Sequence, residues 1–220
     1  MADQSDSLLR EIDEDLRKER LEVLWKKYGS VVIAAAVLLV AGVAGFKGWQ
    51  AYDRSARTES AEQLDVALAA AKAGKADEAA GLLAALAQTG KAGYAVLARF
   101  QSADLALKAG DAAAAKAAYD ALAADTAVDG LYRDLARLLG VMALLSTDNP
   151  NLSEVNSDLA PLAKAGEPWS ATARELQAIA KLAEGDRGGA RASYADLAEG
   201  AAVPPGLKTR ANEMLTLLGE

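Results

Sequence analysis

The side chains best able to do chemistry in this sequence are its carboxylates, because its 220 residues include 31 Asp and Glu but no histidine and no cysteine. That census removes thiolate nucleophiles, imidazole acid–base work, disulfide frameworks and the usual zinc ligand sets. One polar cluster, Asp148, Asn149 and Asn151 in STDNPNLSEV, offers the oxygen ligands that a calcium ion takes. It lacks the spaced ligands and closing Glu of a calcium loop, so it reads as turn chemistry around Pro150. Asp129, Asp134 and Glu175 are scattered along helical stretches and read as solvated faces. No glycine loop that could cradle a phosphate is present. Catalysis, cofactor binding and metal binding are therefore not expected, and no residue is assigned to any of them. Net charge is −7, and residues 54–220 carry 17 basic against 22 acidic groups. Such a surface has no excess cation with which to release phosphate counterions, which argues against nucleic acid as a partner.

The elements that would position any site are helices. Alanine supplies much of the apolar content while aromatic residues make up 5%, a composition suited to closely packed helices. From residue 60 onward the chain repeats itself. With the turns at Gly74, Gly110, Pro150 and Gly185 aligned, Ala67, Ala103, Ala143 and Ala178 fall seven residues before them. Ala79, Ala115, Val155 and Ala190 fall five after, Leu83, Tyr119, Leu159 and Tyr194 nine after, and Leu86, Leu122, Leu162 and Leu197 twelve after. A small residue, a turn, then small, large and large apolar residues describe a helical hairpin that stacks on copies of itself. Alanine lets two axes approach where they cross, and the larger side chains fill the groove to the next hairpin. Gly110 and Gly185 permit left-handed helix ends, and Asp111 and Asp186 can cap the helices that follow. On this register Leu122 is a packing residue and Lys116 lies on the solvated face, so Lys116→Ala is expected to cost under about 0.5 kcal/mol. Pro168 suits the first turn of a helix. Trp169 is either a packing residue or a ligand-facing aromatic, with packing the better reading. Residues 206–218 form a last helix that caps the stack through Leu207, Met214, Leu215 and Leu218.

Ahead of the repeats, Tyr28 to Phe46 is a run of 19 residues without a charge. As a helix it covers about 29 Å, close to the ~30 Å hydrocarbon thickness of a bilayer. Trp25 and Tyr28 at one end, and Trp49 and Tyr52 at the other, lie where an aromatic belt would sit. The span is thus represented by Tyr28, Val31, Leu38, Phe46 and Trp49. Six basic residues (Arg10, Arg17, Lys18, Arg20, Lys26, Lys27) precede the run, whereas Lys47, Arg54 and Arg57 follow it. This bias predicts a cytoplasmic N-terminus and an exported C-terminal part. The 27-residue leader and the long apolar run favour an uncleaved signal anchor over a cleaved signal peptide. Residues 8–27 place apolar side chains at helical spacing, with Glu22 and Lys26 one turn apart. That segment either contacts a membrane partner or lipid, or is a solvated helix that only fixes topology. Residues 53–63 lack Pro and Gly and read either as continuous helix or as a linker.

The whole arrangement resembles the membrane-anchored tetratricopeptide-like ancillary subunits of the bacterial Sec translocon. The resemblance is carried by LWKKYGSVVIAAAV with GWQAY after it, by YAVLARFQSADLALKAGD, and above all by GEPWSATARELQAIAKLAEGDRGGARASYADL. It departs in the acidic leader at residues 11–15 and in the very high alanine content. The fold this implies is all-α, a single N-terminal transmembrane helix followed by a tetratricopeptide-like helical-hairpin solenoid with a C-terminal capping helix. Its divisions are a cytoplasmic segment 1–27, a span with interfacial borders 28–52, and a periplasmic repeat domain 53–220. The resemblance implies a single-pass inner-membrane protein that passes newly exported proteins toward periplasmic chaperones. Its partners would be translocon subunits, chaperones, exported clients and the bilayer, and the family has no catalytic motif to transfer. The other function class open to such a chain is a tethered envelope scaffold for cell-wall or division machinery.

Overall fold

The computed structural model describes residues 2–219, with the side chains of residues 2–23 and of Ala92 outside the described set. The amphipathic pattern read over residues 8–27 falls largely on those side chains and lies outside the described residues. Among the described residues the chain forms nine helices and no strand. They are α1 (Ala2–Lys72), α2 (Ala76–Thr89), α3 (Ala92–Lys108), α4 (Ala112–Ala124), α5 (Gly130–Leu145), α6 (Leu152–Leu159), α7 (Ser170–Ala183), α8 (Arg187–Glu199) and α9 (Pro205–Leu218). Contacts divide the chain into two compact units, residues 1–56 and 57–220.

In the first unit, the apolar run of α1 leaves its side chains uncovered. Tyr28, Val31, Leu38, Phe46 and Trp49 are all exposed, Leu38 by 73%. Among the described residues this is the one helix long and apolar enough to cross a membrane. The core helix of a soluble protein would hide such residues, whereas only 6% of its most apolar window is buried. At its N-terminal border the Trp25 ring lies over Gly29, where a Cβ would come within 3.3 Å of it. The Lys27 ammonium stands 5.3 Å from the centre of the Tyr28 ring. Residues 53–63 are helical, as part of α1.

In the second unit the helices pair as hairpins, and four apolar clusters follow one another along the chain. The first joins Leu64 and Ala67 of α1 to Leu83 and Leu86 of α2 and Ala98 of α3. The next links α3, α4 and α5 through Phe100, Ala103, Ala115, Tyr119, Leu122 and Ala136. A third runs from Leu138 and Val141 of α5 through Val155 and Leu159 to Ala173 and Leu176 of α7. The last joins Ala178, Tyr194 and Leu197 to Leu207 and Ala211 of α9. Each cluster draws on successive helices only, as a stack of repeats requires. All sixteen positions of the repeat register are buried, none more than 3% exposed, Ala190 among them.

The turns recur because the same backbone motif closes them. At Gly110 (φ +85°) and Gly185 (φ +82°) the chain enters the left-handed region, and the Asp111 and Asp186 amides reach back to the Ala106 and Lys181 carbonyls at 3.0 and 2.9 Å. Asp111 then accepts from the Ala114 amide at 2.9 Å and Asp186 from Gly189 at 2.8 Å, capping α4 and α8. Gly74 (φ +77°) makes the same turn, but Lys75 follows it and α2 has no side-chain cap. A Cβ at Gly110 or Gly185 would meet open space. Alanine at either position should therefore cost only the left-handed penalty, about 1–2 kcal/mol, read as a lowered unfolding midpoint. A loss well above that would place a steric partner there.

The third hairpin departs from the pattern. Its first helix ends in a right-handed Ser146 (φ −80°), Ser146 and Thr147 hydroxyls donate back to the Ala143 and Leu144 carbonyls, and Asn151 caps the eight-residue α6. Two expectations need correction here. Pro168 is not in the first turn of α7; it lies in the turn before, which the Ser170 amide closes onto the Glu167 carbonyl at 3.1 Å. It is Pro205 that opens a helix, α9. Lys116 is not on a solvated face: its side chain is 12% exposed and its ammonium lies 2.7 Å from Asp120, 2.9 Å from Glu154 and 3.3 Å from Asp158. The carboxylates of α6 are more than thirty residues away, so spacing within α4 gave no sign of them.

The last helix closes the stack. Leu207 and Ala211 face inward, with Met214, Leu215 and Leu218 packed beside them, while Thr209, Asn212, Glu213 and Thr216 face out. Arg187 and Arg191 of α8 donate to the Leu218 and Gly219 carbonyls at 3.3 and 3.0 Å, satisfying orphan acceptors at the end of α9.

Candidate functional site

A groove of about 440 Å³ opens between α3 and α5, the first helices of two neighbouring hairpins. Its walls are almost wholly apolar: Tyr94, Val96 and Leu97 from α3, Val128 from the loop, and Tyr132 from α5. Leu97, Tyr132 and the adjacent Leu131 are large apolar side chains left exposed although a buried core lies one turn away. The one ionisable carboxylate lining the groove, Asp129, accepts from the Leu131 amide at 2.9 Å and so caps α5.

The groove is braced from below. Asp125 accepts from the Ala127 amide at 3.0 Å and from Arg99 of α3 at 2.6 Å, while Arg99 also donates to the Ala121 carbonyl. The Arg99 hydrogen bond, then the Ala127 amide, hold the Asp125 carboxyl below its ordinary value, with the Arg99 and Arg133 charges adding to them. A depressed carboxyl favours the folded state above the ordinary carboxylate range. That contribution is lost as pH falls through the folded value, so the brace is in place at neutral pH.

A second cleft, about 490 Å³, lies against the start of α7 and is lined by Pro168, Trp169, Arg174 and Pro204 among others. Trp169 is a packing residue that also borders this cleft. It packs beside the cluster of α5, α6 and α7, and its indole N–H donates to the Leu131 carbonyl at 3.2 Å, yet one edge lines the cleft.

The acidic residues picked out by type are structural. Asp129 is a cap, Asp134 pairs with Arg137 at 3.1 Å, and Glu175 takes Arg210 of α9 in a two-point pair at 2.7 and 2.8 Å. Glu175 is not on a solvated face, since its side chain is 14% exposed. Burial, then the Glu175 charge, raises the Tyr194 phenol above its ordinary value and keeps it neutral. Asn151 of the polar turn is a helix cap. Among the described residues no group of three or more His, Cys, Asp or Glu is placed to hold a metal ion. The packing residues Ala103, Ala115, Tyr119 and Leu122 come together in one cluster, and Ala178, Tyr194 and Leu197 in another. None of them lines the groove. The groove residues Tyr94, Leu97 and Tyr132 lie outside the sixteen-position register, and their one sequence signal is an aromatic or leucine at a helix start where the register does not ask for one.

The family model for a tetratricopeptide repeat-like domain matches residues 23–205. The chain belongs to the tetratricopeptide repeat-like family. Domains of this family are typically interaction modules rather than enzymes, and the tetratricopeptide repeat-like match takes in the apolar run as well as the hairpins. No curated protein and no solved structure matches the chain. A tetratricopeptide repeat-like stack of this kind offers a partner a surface, here an open apolar groove between two first helices.

Proposed function

We propose that this chain is a non-catalytic docking subunit held in the bacterial inner membrane beside the Sec translocon, where its repeat domain receives newly exported proteins and passes them toward periplasmic chaperones. The observation that carries the anchored reading is the uncovered apolar helix: residues from Val31 to Phe46 expose large apolar side chains that water would disfavour and lipid would cover. The span lies inside the region matched to the family, which supports its being kept as an anchor rather than removed as a leader. The excess of basic residues before the span supports a topology with residues 1–27 in the cytoplasm, 28–52 in and beside the bilayer, and 53–220 in the periplasm. The groove of Tyr94, Leu97 and Tyr132 takes the apolar stretches that an unfolded client still exposes. The sequence resemblance is what supports the translocon as the partner.

The test is site-specific photo-crosslinking in intact cells. Crosslinkers between Val31 and Phe46 should trap a translocon subunit, and crosslinkers at Leu97 and Tyr132 should trap newly exported chains. Crosslinks from the span to division or cell-wall proteins, with no nascent chains at the groove, would replace this reading with the envelope scaffold.

A further inference from the structure

In a stack each hairpin is held by its neighbours alone, so the shortest helix has the least surface with which to hold its place. That helix is α6, with 8 residues where α2, α4 and α8 have 14, 13 and 13. Its inward side chains, Val155 and Leu159, are fully buried between α5 and α7. Two turns of helix hold few apolar groups, and α6 has in addition an ionic contact to α4. The Lys116 ammonium of α4 reaches Glu154 at 2.9 Å and Asp158 at 3.3 Å, both on α6, and Asp120 on its own helix at 2.7 Å. Its path is set by Gly140 of α5, where any Cβ would come within 3.3 Å of the Lys116 stem. The stem therefore lies against α5 and delivers its charge to α6. Burial alone would lower the ammonium's pKa, but the hydrogen bonds to Asp120 and Glu154, with the charges of Asp120 and Asp158, outweigh it and raise the value above the ordinary 10.5. A raised pKa means that the contact contributes fully below the ordinary lysine range and is lost only as pH climbs past the folded value.

We propose that Lys116 is a latch: it holds α6 onto α4 over the small Gly140, and when it releases, α6 opens as a unit while the hairpins on either side stay folded. The third hairpin is then a joint within the repeat domain. Opening uncovers Val155 and Leu159 and loosens the α5–α7 packing that they bridge. The three carboxylates drive that opening once the cation is gone, because they are left facing one another with no counter-charge.

Hydrogen exchange on the full-length protein in detergent micelles tests this. Lys116→Met keeps a stem of similar length and removes the charge. It should speed amide exchange over residues 152–163 by about tenfold to a hundredfold while leaving α2 and α8 within about threefold. The double variant Glu154→Gln, Asp158→Asn releases the same latch from the other side, and should speed exchange over the same residues by a smaller factor. Unchanged exchange at 152–163 in the double variant, or an equal rise in α2 and α8, overturns the proposal. If Lys116→Met fails to fold, the double variant alone decides.

Discussion

Leu122→Ala is expected to destabilise the repeat stack by about 2–5 kcal/mol. Leu122 is fully buried at the end of α4, in one cluster with Phe100, Tyr119 and Val128, and the Phe100 and Tyr119 rings stand 6.1 Å apart beside it. Truncation removes apolar area and leaves a cavity that two aromatic rings in contact cannot easily fill. At about 2–4 °C per kcal/mol for a domain of this size, the loss is large enough to read by thermal circular dichroism. Gln88→Ala on the exposed face of α2 is the control and should cost under about 0.5 kcal/mol. In a quasi-one-dimensional fold the damage should also be local, with exchange rising first in α3, α4 and α5 and least in α8 and α9. Equal, small effects of the two substitutions would show that Leu122 does not fill the space between hairpins.

The second large effect concerns the anchor. On the anchored reading proposed above, replacing both Val37 and Leu38 by arginine should give a chain that fails to insert. Each charge at mid-span costs about 2.5–3.5 kcal/mol where an apolar residue contributes a few tenths favourably, so the pair is worth about 6–8 kcal/mol. Both side chains are exposed on α1, at 61% and 73%, so neither substitution disturbs a protein core. Alkaline extraction of membranes reads the result directly: the natural chain should stay with the lipid and the double variant should be released. Release of the natural chain would end the anchored reading, and retention of the variant would place the span elsewhere.

The two stretches behind these predictions were the easiest to read from sequence, for a physical reason. The apolar run is read from its length and lack of charge, and the packing positions from spacing within each hairpin, where helices fix which residues share a face within a few turns. The turns at Gly110 and Gly185 were legible for the same reason, since glycine and the Asp after it act within one turn of themselves. What could not be read depends on partners far along the chain. Lys116 looked solvated because only Asp120 of its three carboxylates lies in its own helix, and Glu175 looked solvated because Arg210 is 35 residues away. A pair of acids one turn apart, Glu154 and Asp158, within the short helix α6 was the available signal for the first. For the second there was none. The groove escaped because it is made of the residues that a repeat register leaves over: Leu97 and Tyr132 do not recur, and a feature found once has no spacing to betray it.

The stacking of hairpins sets how such a protein could change size. Every face inside the stack is complementary to a copy of its neighbour, so a duplicated hairpin inserted between α4 and α5 would find an apolar surface on each side. The outward face of α9 carries Thr209, Asn212, Glu213 and Thr216 beside the exposed Leu217, and Arg187 and Arg191 hold its last carbonyls. The apolar faces inside the stack thus leave growth by internal duplication open to this architecture.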